Sequence, residues 1–161
     1  MISLEVKGAF DAAWWPSILC KLRDFHCPRN LYKLTSSFFS DRVALFHANT
    51  YTVERKVSTR CPQVSCYCPG CWNVLYNTLL NLEFSNQTKI IAFGDDLAIL
   101  TLGETLSEAE VYANSDLAKI ENWARVYKLQ FKESKSKAML ITRKRSCHDI
   151  YIYLNNRRLN M

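Results

Sequence analysis

The chain has 161 residues, 48% apolar and 22% charged, with only 4 Gly and 4 Pro. That composition excludes a disordered or low-complexity chain, and the length is enough for one compact domain with a core. Lysine plus arginine total 21 against 15 acids, a formal charge of +6; the surplus favours an anionic partner, nucleic acid first, and suits a plain basic domain equally well.

Leu4 and Val6 alternate with Ser3, Glu5 and Lys7, which predicts a strand at the start of the chain. Trp14-Trp15-Pro16 leads into Ile18, Leu19 and Leu22 at helical spacing. Cys27-Pro28 ends that helix, and Leu31, Leu34, Phe38 and Phe39 predict a second. Residues 42–58 read as a β-hairpin: Val43, Leu45, Tyr51, Val53 and Val57 alternate with polar residues around Asn49-Thr50. Trp72, Leu75, Tyr76, Leu79 and Leu80 predict a helix over 70–82. Two apolar runs, 89–93 and 97–102, flank Gly94-Asp95-Asp96 as a tight hairpin. Leu106, Ala109, Ala113, Leu117, Ile120, Ala124 and Tyr127 line one helical face over 105–127, and Thr105 with Glu108 forms a capping-box pattern at its start. Strand-like pieces follow at 137–142 and 150–154. The sum is an α+β fold, an antiparallel sheet with helices packed on one face, in a single domain over 1–161.

Asp95 and Asp96 repel one another, and a hairpin turn does not need both. A pair of acids raised at a tip suits Mg²⁺, a hard ion that takes carboxylate oxygens and keeps waters or phosphates as its remaining ligands. A solvated polar turn explains the pair equally well. If the first strand lies beside this hairpin, Glu5 and Asp95 face one another near the tip and complete an acid cluster. On its own, Glu5 reads as an exposed strand residue.

These residues fall into four segments that resemble the palm motifs of LINE-type (non-LTR) retrotransposon reverse transcriptases, arthropod members most of all. Residues 3–11, Ser-Leu-Glu-Val-Lys-Gly-Ala-Phe-Asp, resemble the first motif. Cys61-Pro62-Gln63-Val64-Ser65 with Pro69-Gly70 and Trp72-Asn73 resembles the second, whose core is Pro-Gln-Gly. Ala92-Phe93-Gly94-Asp95-Asp96 resembles the third, usually Phe-Ala-Asp-Asp. Residues 129–137 resemble the fourth, a Leu-x-Phe-Asn-x-x-Lys-(Ser/Thr)-Lys pattern. The order and spacing match the family.

The resemblance implies a polymerase-type palm carrying out RNA-directed DNA synthesis by two-metal nucleotidyl transfer, with RNA template, DNA primer and dNTP as partners. It implies that Glu5, Asp95 and Asp96 hold Mg²⁺. It implies that Phe10 is the aromatic gate against a ribose 2′-hydroxyl, and that Gln63 contacts the incoming nucleotide. Lys135 is implied as a general acid near the triphosphate. Without it, Phe10 reads as a core residue, Gln63 as a helix-leading polar residue and Lys135 as a solvated lysine.

Departures fall on these same positions. Glu5 replaces Asp, moving its oxygens by one C–C bond, and a shift on the order of 1 Å can cost about a hundredfold in rate. Val64 replaces the Gly of Pro-Gln-Gly, Arg60 stands where a Gly precedes Cys-Pro-Gln, Cys68 replaces another Gly, and Gly94 replaces Ala. The family's fingers and thumb are also missing from the segment. The alternative function is therefore a non-catalytic, truncated remnant with at most weak nucleic-acid binding, and the fragment as it stands is expected to be inactive.

The 7 cysteines are an odd set without a secretory leader, which reads as reduced intracellular thiols. Cys61, Cys66, Cys68 and Cys71 fit no regular zinc spacing, so no zinc is expected. No stretch approaches the length of a membrane helix. Arg143-Lys144-Arg145 and Arg157-Arg158 suit either phosphates or solvent.

Overall fold

The computed structural model describes every residue except Asn49, residues 61–64, residues 144–149 and Met161. In chain order the elements are β1 (Ile2–Glu5), α1 (Ala9–Ala12), α2 (Trp15–Asp24), α3 (Arg29–Phe39), β2 (Val43–Ala48), β3 (Tyr51–Lys56), α4 (Cys68–Leu80), β4 (Thr88–Phe93), β5 (Asp96–Thr101), α5 (Leu106–Val126), β6 (Lys137–Ala138), β7 (Tyr153–Leu154) and β8 (Arg157–Arg158). This is a mixed α+β chain with antiparallel sheets, as its patterning predicts. It divides into two compact units, Met1–Ala9 with Asn77–Met161, and Phe10–Tyr76.

The first unit is built on a four-stranded antiparallel sheet in the order β4-β5-β1-β6. Side chains alternate across a strand, so register decides which face each residue takes. Leu4 pairs with Leu97 and Ile2 with Ile99, and all four are buried. Their neighbours Ser3, Glu5, Asp96 and Ala98 take the opposite, open face. α5 packs against β4 and β5 and buries Ala113, Leu117, Ile120, Trp123 and Ala124. Its start is the predicted capping box: the Thr105 hydroxyl accepts from Glu108 N–H, and the Glu108 carboxylate accepts from Thr105 N–H.

The end of α5 positions the fourth motif. Lys128 takes φ 58°, a left-handed cap that ends the helix. Leu129 N–H donates to Ala124 C=O and Lys128 N–H to Arg125 C=O, a Schellman pair. The chain reverses there and runs back beside β1.

Two expectations differ. The strand predicted over 137–142 is paired as a strand only at Lys137–Ala138, because the β1 ladder ends where Met1 and Met139 exchange backbone hydrogen bonds. The piece over 150–154 contributes only Tyr153–Leu154, which forms a separate ribbon with β8.

In the second unit, α2 carries Pro16 in its first turn, where the missing N–H costs nothing. Trp15 stacks on Phe39 at 5.0 Å. The hairpin predicted over 42–58 forms as β2 and β3, with Val43 opposite Lys56. Its turn residue Asn49 lies outside the described residues.

A buried acid ties α5 to the turn that leads into β4. The Asp116 side chain is fully buried and accepts from Ser85 N–H, Ser85 Oγ and Lys119 Nζ, the last at 2.9 Å. Burial works to raise its pKa, but hydrogen bonds from Lys119, Thr88 and Ser85 outweigh that and hold it below the usual carboxylate value. Its stabilising contribution is therefore present above the ordinary carboxylate pKa and lost as pH falls through the depressed one. Asp116→Ala takes the acceptor from Ser85 N–H, while Ser85 Oγ keeps Thr88 Oγ1 and Lys119 Nζ keeps Glu83 C=O. It is expected to cost about 1–2 kcal/mol in urea unfolding, with a smaller cost at acid pH.

Candidate functional site

The hairpin tip is tighter than the sequence suggests. Phe93 pairs with Asp96, so the turn consists of Gly94 and Asp95 alone. Gly94 takes φ 61°, the left-handed region that glycine enters without penalty. Asp96 is consequently the first residue of β5 and not a turn residue. Its partner on β1 is Glu5. Directly opposed residues of antiparallel strands share a face, so the carboxylates of Glu5 and Asp96 both belong to the open side of the sheet. The sequence reading set Asp95 opposite Glu5. The register sets Asp96 there, and Asp95 joins the corner through its C=O, which accepts from Val6 N–H at 3.5 Å.

The fourth motif closes the other side. Lys7 N–H donates to Gln130 C=O, Lys132 N–H donates to Glu5 C=O at 2.8 Å, and Val6 bridges Phe131. Ser136, buried, turns the chain by donating through N–H and Oγ to Lys132 C=O. Lys135 Nζ lies 2.8 Å and Lys132 Nζ 3.6 Å from Glu5 Oε1. The hydrogen bond and charge of Lys135, with a smaller contribution from Lys132, hold the Glu5 carboxyl below its usual range. The same Glu5 bond raises Lys135, and the charge of Asp95 adds to it.

Glu5, Asp95, Asp96 and Lys135, named from the sequence, are thus brought to one corner of one unit. Lys132 joins them and was not singled out, although it stands where the fourth motif carries Asn. Phe10 lies in the second unit, in α1, with its ring 5.9 Å from that of Trp72. Gln63 and Val64 lie outside the described residues.

The carboxylates match Mg²⁺ in chemistry, as hard oxygen donors, and Glu5 and Asp96 match it in sharing a face. Among the described residues no three His, Cys, Asp or Glu side chains are already gathered around a position that could hold an ion. Of the cysteine set, Cys66 is exposed, Cys68 and Cys71 are buried, and Cys61 lies outside the described residues. No helix among the described residues is long and apolar enough to cross a membrane. In the basic tracts, Arg157 pairs with Glu133 at 2.9 Å and Arg158 lies over the Tyr151 ring, while Lys144 and Arg145 are outside the described residues.

Arg60 has a structural cost. It takes φ 85°, donates through N–H to Ala13 C=O and accepts from Trp15 Nε1 at 2.9 Å. A left-handed φ is unfavourable for a residue with a Cβ and free for glycine, which gives a physical reason for the Gly of the second motif.

Known proteins bear on most of the chain. The family described as reverse transcriptase (RNA-dependent DNA polymerase) matches residues 1–154. A 115 kDa protein described for type-1 retrotransposable element R1DM of Drosophila melanogaster is 32% identical over 120 residues, 74% of this chain and 12% of that protein. The retrovirus-related Pol polyprotein of element R1 from Bradysia coprophila is 29% identical over 124 residues, 77% of this chain and 12% of the polyprotein. The RNA-directed DNA polymerase of mobile element jockey from Drosophila melanogaster is 25% identical over 138 residues, 82% and 15% of the two chains. This chain therefore spans about an eighth of the length of the first two.

Two outcomes are expected here. Arg60→Gly should raise stability by roughly 1 kcal/mol in denaturant unfolding, the relief of the left-handed strain less the entropy glycine adds to the unfolded chain. The Glu5 carboxyl, followed by side-chain NMR, should titrate below the ordinary glutamate value and return toward it in Lys135→Met. Because the Glu5 pKa is depressed, the pair stabilises above the ordinary carboxylate pKa and is lost as pH falls through the lower one.

Proposed function

The chain belongs to the reverse transcriptase family, and from that premise we propose that it is a polymerase-type palm segment of a non-LTR retrotransposon, serving RNA-directed DNA synthesis. The observation that carries this is the register that sets Glu5 opposite Asp96 beside Asp95 on an open sheet face. Glu5, Asp95 and Asp96 are the residues that would hold Mg²⁺. When bound, the ion supplies neutralisation of phosphate charge and a more acidic primer hydroxyl. Lys135 would stand beside the triphosphate as a proton donor, freed from Glu5 when that carboxylate takes another cation. Phe10 and Gln63 would select and seat the nucleotide. An RNA template and a DNA primer are the partners this reading requires, and the rest of a full-length protein would grip them.

A second reading, a non-catalytic remnant, is favoured by one observation: Glu5 is engaged by two lysines. The two are separated by grafting residues 1–154 into the matching segment of the Bradysia coprophila R1 polyprotein. Primer extension is then measured on an RNA template with Mg²⁺. The polymerase reading expects incorporation that falls at least about a hundredfold in Asp95→Asn and Asp96→Asn. Equal incorporation by these variants would sink it. A graft that is inert until Glu5→Asp and Val64→Gly are introduced supports the remnant.

A further inference from the structure

We infer that Lys132 is a built-in counter-ion for the acid corner, a positioning residue that competes with a divalent cation for Glu5. This rests on the proposed metal-binding role of Glu5 and Asp96, and goes beyond it.

Three observations carry it. First, Glu5 Oε1 is shared: Lys135 Nζ approaches to 2.8 Å and Lys132 Nζ to 3.6 Å. An oxygen that faces two ammonium groups offers less to an incoming cation. Second, the main chain of Lys132 is tied to that of Glu5, which keeps the root of this lysine beside the acid. Its N–H is bonded to Glu5 C=O, and its own C=O accepts from Lys135 N–H, Ser136 N–H and Ser136 Oγ. The backbone of the lysine is clamped to the backbone of the acid it neutralises. Third, glutamate reaches further than aspartate by one methylene, and that reach spans from β1 to the lysines of the neighbouring turn. Lys132 and Glu5 thus form one unit: the longer acid and the added cation touch one another.

The pair is partly open to solvent, with the Lys132 side chain 40% exposed. Such pairs have modest strength and are screened by salt. The expected effect on cation affinity is accordingly a small factor and not an all-or-none block.

The test is Mn²⁺ binding by the full chain, followed by the loss of free-ion signal in electron paramagnetic resonance, with circular dichroism to check folding. Lys132→Met is expected to tighten Mn²⁺ binding roughly three- to fivefold, by removing one competing charge. Lys132→Arg, which keeps the charge, is expected to bind as wild type does. Lys137→Met, which removes a lysine of the same basic stretch, is expected to change less than Lys132→Met. The gain in Lys132→Met should shrink when potassium chloride is raised. Should Lys132→Met fail to fold, Lys132→Gln carries the same expectation.

The failure modes differ. If Glu5→Gln and Asp96→Asn weaken Mn²⁺ binding but Lys132→Met leaves it unchanged, the metal site stands and the counter-ion is overturned. If Glu5→Gln and Asp96→Asn bind as wild type does, the metal reading falls and the counter-ion with it.

Discussion

The candidate site depends on the register of one short strand. β1 has four residues and sits between β5 and β6, so its pairing decides which of its side chains meet the core. Leu4 against Leu97 and Ile2 against Ile99 bury four apolar side chains on one face. A slip of one residue would carry them to solvent and Glu5 into the core, with an isolated charge among leucines. The apolar pairs therefore fix the position of the acid. Glu5 faces Asp96 because Leu4 faces Leu97.

The same strand recruits its counter-charge. Lys7 and Glu5 bond through their backbones to Gln130 and Lys132, so the fourth motif lies along β1 whatever its side chains do. The Schellman turn after α5 delivers it there. Ser136, buried, then folds the following turn back on Lys132 C=O. Main-chain bonds alone suffice to bring acid and lysines together, and the ion pairs add to that scaffold. That matters, since partly exposed ion pairs contribute little stability of their own.

Much of this was legible in the sequence. The alternation in β1, the apolar runs around Gly94 and the Thr105–Glu108 box each follow from a local rule, and each lies where that rule puts it. What was not legible depends on pairing across the chain. Asp96 looks like a turn residue in sequence and becomes a strand residue because Phe93 closes the turn on it. β6 looks like a six-residue strand and is cut to two by the reach of its neighbour. Lys132 looks like one more lysine in a basic run. Its backbone bond and ion pair to Glu5 separate it from Lys137, and no periodicity encodes those contacts. Arg60 was recognisable as a departure, but its φ of 85° supplies the reason the position favours glycine.

Family membership and fitness for catalysis are separate properties of this chain, and the acid corner shows why. The core pairs that hold Glu5 opposite Asp96 require only apolar residues, and they are preserved whether the carboxylate is short or long. The length of that carboxylate decides its partner. An aspartate on β1 keeps its oxygens near the sheet. A glutamate extends them toward the 132–135 turn, where Lys135 and Lys132 are already held by the backbone. The apolar pairs that place this acid are thus independent of its length, while one methylene decides whether it reaches the lysine pair. Stability gives no warning of such a change, because the new ion pairs replace solvent contacts at nearly equal free energy.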